Sequence, residues 1–175
     1  MEDEDASNDD TCTDVTCAHT AAIGGSHYDS LPSAIDTAGD GAVVTLLSDT
    51  TENVVVGEGQ SIVLELNGKT LNGGSATKKA ALTNKDTVTI QDSSNSGIGT
   101  IKHDDTEFGY YTVVNEKSMT IAGGTITNSA TGSNLMINYH NQGGGKSYGA
   151  NSGVEMTISG GRYRQSLRCP SLAAT

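Results

Sequence analysis

Four carboxylates are the residues of this chain whose type and grouping could do chemistry. They are Asp92 and the cluster Asp104, Asp105 and Glu107, which follows His103. A β-rich polysaccharide lyase holds Ca²⁺ with acidic residues on one outward face, with a Lys or Arg base nearby. A glycoside hydrolase sets two or three carboxylates across a cleft. Asp92 stands across a corner of the chain from the cluster, so the four form the candidate catalytic set. Asp also belongs in turns, where it bonds neighbouring backbone groups, and a solvated loop accounts for "HDDTE" equally simply. The stretch does not have the ligand spacing of an EF-hand.

A second group suits binding. The stretch "NYHNQGGGKSYGANSG", residues 138–153, combines Tyr139, His140, Asn141, Gln142, Lys146 and Tyr148 with glycine. Aromatic faces stack on sugars or protein surfaces, and amides both donate and accept hydrogen bonds. "FGYY", residues 108–111, adds Tyr110 to the same vocabulary. A glycine-rich loop with incidental tyrosines is the plainer alternative. "GGGKS" lacks the spacer and the strand-to-helix setting of a phosphate-binding loop.

Metal chemistry finds little support. Cys12, Cys17 and His19 are close in sequence, but supply too few ligands for a structural zinc site, and Cys169 is remote. Cys12 and Cys17 suit a local disulfide or two free thiols. Neither metal nor cofactor is expected.

Charge narrows the partners. The chain of 175 residues carries a formal charge of −11. Seven of its 21 acids fall in residues 1–14, which contain no Lys or Arg. Residues 1–16 therefore read as a solvated, disordered acidic tail, of the kind left after a processed segment. An acidic chain argues against nucleic acid or an anionic membrane as partner. No apolar run is long enough to span a bilayer.

These side chains must be positioned by elements, and the elements repeat. "MTIAGGTI" (119–126) recurs as "MTISGGRY" (156–163) and as "LELNGKTL" (64–71). Aligned on apolar-x-apolar, the copies begin at Val44, Leu64, Val88, Met119 and Met156. Their uneven spacing suits a solenoid of short strands with insertions on one side. The expected inward residues are Val44 and Leu46, Leu64 and Leu66, Val88 and Ile90, Met119 and Ile121, Met156 and Ile158. After a glycine corner come Leu71, Ile101, Ile126 and Tyr163. Thr45, Glu65, Thr89, Thr120 and Thr157 are expected to face outward, in a row too irregular for ice binding. Asn84, Asn115 and Asn151 precede three of the strands at similar distances and suggest a stacked ladder as well as simple turns. "QDSSNSGIG" widens one corner into an expected protruding loop.

Both ends need covering, because open strand edges associate. "YDSLPSAIDTAGDG" reads as a short capping helix near 30–38. Asp29 or Ser30 caps it, Pro32 lies in its first turn, Leu31, Ala34, Ile35 and Ala38 form its apolar stripe, and Gly39 and Gly41 end it. Residues 164–175 carry no repeat and are expected to be a cap, an irregular appended tail or a cut inside a longer solenoid.

The motifs "HYDSLPSAID", "VVTLLSD" and "LNGKTL", within residues 17–163, resemble right-handed parallel β-helix modules in large surface proteins of gut-type Gram-positive bacteria. The architecture is also similar to pectate-lyase-like β-helices. The resemblance implies an all-β, right-handed parallel β-helix (solenoid) of about four to five coils with a short N-terminal capping helix. It implies a non-catalytic extracellular module at the bacterial cell surface, displaying loops for adhesion to a glycan or host surface protein, or acting as a spacer. The alternative is a fragment or relative of a polysaccharide lyase or glycoside hydrolase. No sorting motif stands at the C-terminus, so wall attachment is expected to fall to further sequence. Self-association through the edge of the C-terminal coil is a further expectation.

Overall fold

The computed structural model describes residues 18–74, 79–95, 98–104, 111–129, 137–139 and 155–165. Among the described residues the chain is all-β apart from one helix. Its strands are β1 (Ala21–Ile23), β2 (Ser26–Tyr28), β3 (Ala42–Leu46), β4 (Thr50–Thr51), β5 (Val54–Val56), β6 (Ser61–Glu65), β7 (Thr70–Asn72) and β8 (Leu82–Asn84). They continue with β9 (Thr87–Gln91), β10 (Thr100–His103), β11 (Val113–Asn115), β12 (Ser118–Ile121), β13 (Thr125–Asn128), β14 (Ile137–Tyr139), β15 (Glu155–Ile158) and β16 (Arg162–Gln165). Helix α1 (Leu31–Thr37) lies between β2 and β3.

Three open sheets result. The first runs β15-β12-β9-β6-β3-β1-β2, the second β16-β13-β10-β7-β4, and the third β14-β11-β8-β5. From β3 onward every pairing is parallel and joins a strand to the one three places later. The chain thus visits the three sheets in rotation. Inward side chains alternate with outward ones, as short β-branched strands with one buried face require. Val44, Leu64, Ile90, Ile121, Leu71, Ile101, Ile126, Val54, Leu82 and Val113 meet in one apolar cluster. Aliphatic residues and Met119 fill this interior, and the chain has no Trp.

The inward residues of the two core rows agree with the sequence reading wherever their burial is described up to Ile126, but the register differs. Leu64 pairs with Ile90 and Ile62 with Val88. Val44 pairs with Leu64 and Ala42 with Ile62. The first two copies are therefore Ala42-Val43-Val44 and Ile62-Val63-Leu64, two residues earlier than the alignment on Val44 and Leu64 places them. A shift of two preserves facing, so the core survives the error. The outward row in register is Val43, Val63, Thr89, Thr120 and Thr157. Glu65 keeps outward parity but is only 6% exposed, because residues after β9 fold over it. At the far end Ile158, expected inward, is 55% exposed on the last strand of the first sheet.

The corner after β6 explains the misalignment. Leu66 extends beyond the strand and is 1% exposed. A Cβ on Gly99 would overlap the Leu66 Cβ, and one on Gly124 would lie 2.6 Å from Leu66 Cδ1. Glycine at these two positions makes room for Leu66. Asn67 and Gly68, at φ 50° and 73°, then turn the chain.

The third sheet is missed by the sequence reading, which noted Asn84 and Asn115 but not the strands they end. The N-terminal hairpin is missed as well. β1 pairs antiparallel with β2 through a Gly24-Gly25 turn, and antiparallel with β3 on its other side. Helix α1 is where it was expected, with Ser30 rather than Asp29 as its cap: the Ser30 hydroxyl accepts from the Ser33 amide at 3.2 Å. Leu31, Ala34 and Ile35 are buried beneath it. β16 runs to Gln165, two residues into the stretch read as tail. No helix among the described residues is long and apolar enough to cross a membrane.

Candidate functional site

Two of the candidate carboxylates are described, Asp92 in the corner before β10 and Asp104 just after that strand. Asp92 follows β9 and lies before β10. Its Oδ1 accepts from the Gly68 amide at 2.9 Å and from the Ser94 amide at 3.4 Å, and its Oδ2 from the Gly99 amide at 2.6 Å. Burial alone would raise its pKa, but the hydrogen bonds from Gly99, Gly68 and Ser94 outweigh it and hold the carboxyl below its ordinary value. The loop expected to protrude is thus pinned at 92–94 and 98–99.

Glu65 is the neighbouring acid. Its Oε1 accepts from the Asn67 amide at 2.8 Å and the Ser93 amide at 2.9 Å, and its Oε2 from Gln91 Nε2 at 3.0 Å. Burial opposes ionisation, and the Ser93, Asn67 and Gln91 bonds override it, so its pKa is lowered. Glu65 and Asp92 are both ionised acceptors saturated by fixed donors. Such carboxylates hold loops together and are poor proton donors.

Asp104 follows β10 at its other end. Its Oδ2 accepts from Asn72 Nδ2 and pairs with Lys102 Nζ, each at 2.8 Å. Burial raises its pKa, while Lys102, Asn72 and Ser129 together lower it below the ordinary value. The four-residue strand β10 lies between Asp92 and Asp104, so at about 3.3 Å per residue they are separated by roughly 13 Å. The structure therefore does not bring these two carboxylates together. Asp105 and Glu107 lie outside the described residues. His103 is fully buried, with Nε2 2.8 Å from the Lys79 carbonyl oxygen, and is part of the interior rather than of an acid cluster.

The binding candidates Tyr110, His140, Asn141, Gln142 and Tyr148 also lie outside the described residues. Tyr139 ends β14, stacked in register on Asn115. Cys12, Cys17, Cys169 and Asn151 are outside as well. The Asn84–Asn115 part of the proposed ladder is present: Asn84 Nδ2 donates to Asn115 Oδ1 at 2.7 Å. Among the described residues no three His, Cys, Asp or Glu side chains gather round one point.

One polar surface escaped the sequence reading. On the outer face of the second sheet, Thr70, Thr100, Thr125 and Arg162 fall in one column, and Asn72, Lys102 and Thr127 in the next. Hydroxyl, amide and cationic groups stand there at strand spacing in an otherwise acidic chain. Lys102 is 35% and Asp104 43% exposed, so the Asn72–Asp104–Lys102 group opens to solvent. The signal was available in "TLN", "TIKH", "TITN" and "RYRQ", whose polar first and third residues align once the corners are matched. No family model matches the chain, and no curated protein or solved structure is significantly similar to it.

Proposed function

We propose that the chain is a right-handed parallel β-helix of between four and five coils, serving as a non-catalytic extracellular module of a bacterial surface protein. Its inter-strand loops and the polar face of its second sheet engage a glycan or a host surface protein. One observation carries this reading: each strand from β3 pairs in parallel with the strand three later, while the segments between strands vary widely in length. A rigid repeated frame with loops of unequal length is a scaffold for display. The saturated hydrogen bonding of Glu65 and Asp92 supports a structural rather than catalytic use of those acids.

β14, β15 and β16 stand last in their sheets among the described residues. Their outer edges are where a second copy would pair. Screening of the full chain on a glycan array and against host matrix proteins tests the adhesive reading. Binding lost in a Tyr139→Ala, Tyr148→Ala double variant assigns the contact to the 138–153 loop. Binding lost in Lys102→Ala assigns it to the second sheet. No binding by the wild type removes adhesion and leaves a spacer.

A further inference from the structure

The N-terminal hairpin and the residues leading into it carry two imidazoles, His19 and His27. We propose that His19 and His27 form a binding site for one zinc ion, with Asp29 as the residue that orients His19. His27 lies on β2 opposite Ala22, and Asp29 is two residues further on the same side of the extended chain. His19 reaches onto that side from before β1, where its carbonyl accepts from the Ser48 hydroxyl at 3.3 Å. The Thr20 amide, next along, bonds the Tyr28 carbonyl at 2.9 Å, and the Thr20 hydroxyl bonds the Asp29 carbonyl at 2.8 Å. The two rings are thus held by backbone pairing on both sides.

Their spacing fits a shared metal. The ring centroids are 5.3 Å apart and the planes are inclined at 56°. A Zn–N bond of about 2.0–2.1 Å, plus about 1.1 Å from nitrogen to ring centre, sets each centroid about 3.2 Å from the metal. A tetrahedral angle of about 109° then separates two centroids by about 5.2 Å.

The second nitrogen of His19 is also accounted for. Its Nδ1 lies 2.8 Å from Asp29 Oδ1. A carboxylate accepting from Nδ1–H leaves the Nε2 lone pair for a metal and fixes the ring's direction, the usual support for a metal-bound histidine. The His19 side chain is 20% exposed and that of Asp29 84% exposed, so the site opens to solvent and water completes the coordination. Bound zinc clips the segment before β1 to β2 and stabilises the hairpin that covers the first sheet.

The test is titration of the metal-free full chain with zinc, followed through the imidazole ring resonances by NMR. The expected result is that the His19 and His27 resonances move together and saturate at one zinc per chain. His27→Ala abolishes that saturation, and Asp29→Asn, which keeps both ligands, weakens binding about 10-fold. Folding of each variant is confirmed by its circular dichroism. Resonances of both rings that stay in place with zinc in excess overturn the proposal. So does a folded His27→Ala variant that binds zinc as tightly as the wild type.

Discussion

Leu66 shows how one side chain dictates the residues around it. It sits past the end of β6, and Gly99 and Gly124 give it space. Gly99→Ala is expected to destabilise the fold by about 1–3 kcal/mol through overpacking. Leu66→Ala is expected to cost about 2–5 kcal/mol by leaving a cavity. The double variant should fall short of the sum, because removing Leu66 relieves the clash. Urea midpoints of the four proteins measure this; strict additivity would show that Gly99 and Leu66 do not share that space. Asp92 acts through charge instead. Its folded pKa lies below its unfolded one, so its contribution is fully present above the ordinary Asp value of about 3.9 and is lost as pH falls through the folded value. Asp92→Asn should therefore cost about 1–2 kcal/mol at pH 7, allowing for partial exposure. The difference from wild type should close in strong acid. A gap that stays constant with pH would mean that the carboxylate's charge plays no part.

At the scale of elements, the third sheet holds together through polar groups that strand patterns do not announce. Asn84 is fully buried, and its Nδ2 donates to the Asp86 carbonyl at 3.0 Å and the Ser118 carbonyl at 2.8 Å as well as to Asn115. The rung below carries Val56 at the same position. Asn84→Val would match that rung in shape but strip donors from buried acceptors, at about 2–4 kcal/mol. A loss under about 0.5 kcal/mol in chemical denaturation would show that the side chain is dispensable. Helix α1 is a milder case: Ser30→Ala removes one cap bond and should cost about 1 kcal/mol. These elements also show where sequence was informative. Inward residues of the first two sheets could be read because period two is insensitive to a slip of two. Register could not, since "LELNGKTL" imitates "MTIAGGTI" across its corner while pairing two residues earlier. "VVV", "LTN" and "VVN" are too short to stand out as strands, and tertiary pairing alone defines them. The polar face with Asn72 and Lys102 depends on that same register, whereas the acid cluster drew notice only because its members are adjacent in sequence.

For the whole molecule, the decisive feature is how the stack begins. An exposed row of backbone donors and acceptors recruits another chain, and open parallel sheets present such a row at each end. At the N-terminal side each sheet is managed differently. β1 takes the outer edge of β3 with antiparallel pairing, and β2 extends it. The second sheet begins with β4, only two residues long. The third begins with β5, which α1 covers through Leu31, Ala34 and Ile35. Two further contacts lock the helix to the stack: Glu52 Oε2 accepts from the Leu31 amide at 3.1 Å, and Gln60 Nε2 donates to the Ile35 carbonyl at 2.8 Å. Removing residues 1–38 strips hairpin and helix together, baring β3 and the buried side chains Val54 and Val56. The truncated chain is expected to keep a strand-type circular dichroism spectrum but to form concentration-dependent dimers or larger species by analytical ultracentrifugation. Pairing through newly opened edges predicts that introducing Lys at Val43 and Val55, one on each bared strand, restores the monomer by charge repulsion. A truncated chain that stays monomeric with a native unfolding midpoint would mean that neither β3 nor β5 needs its cover, and that the hairpin and helix serve something other than closure.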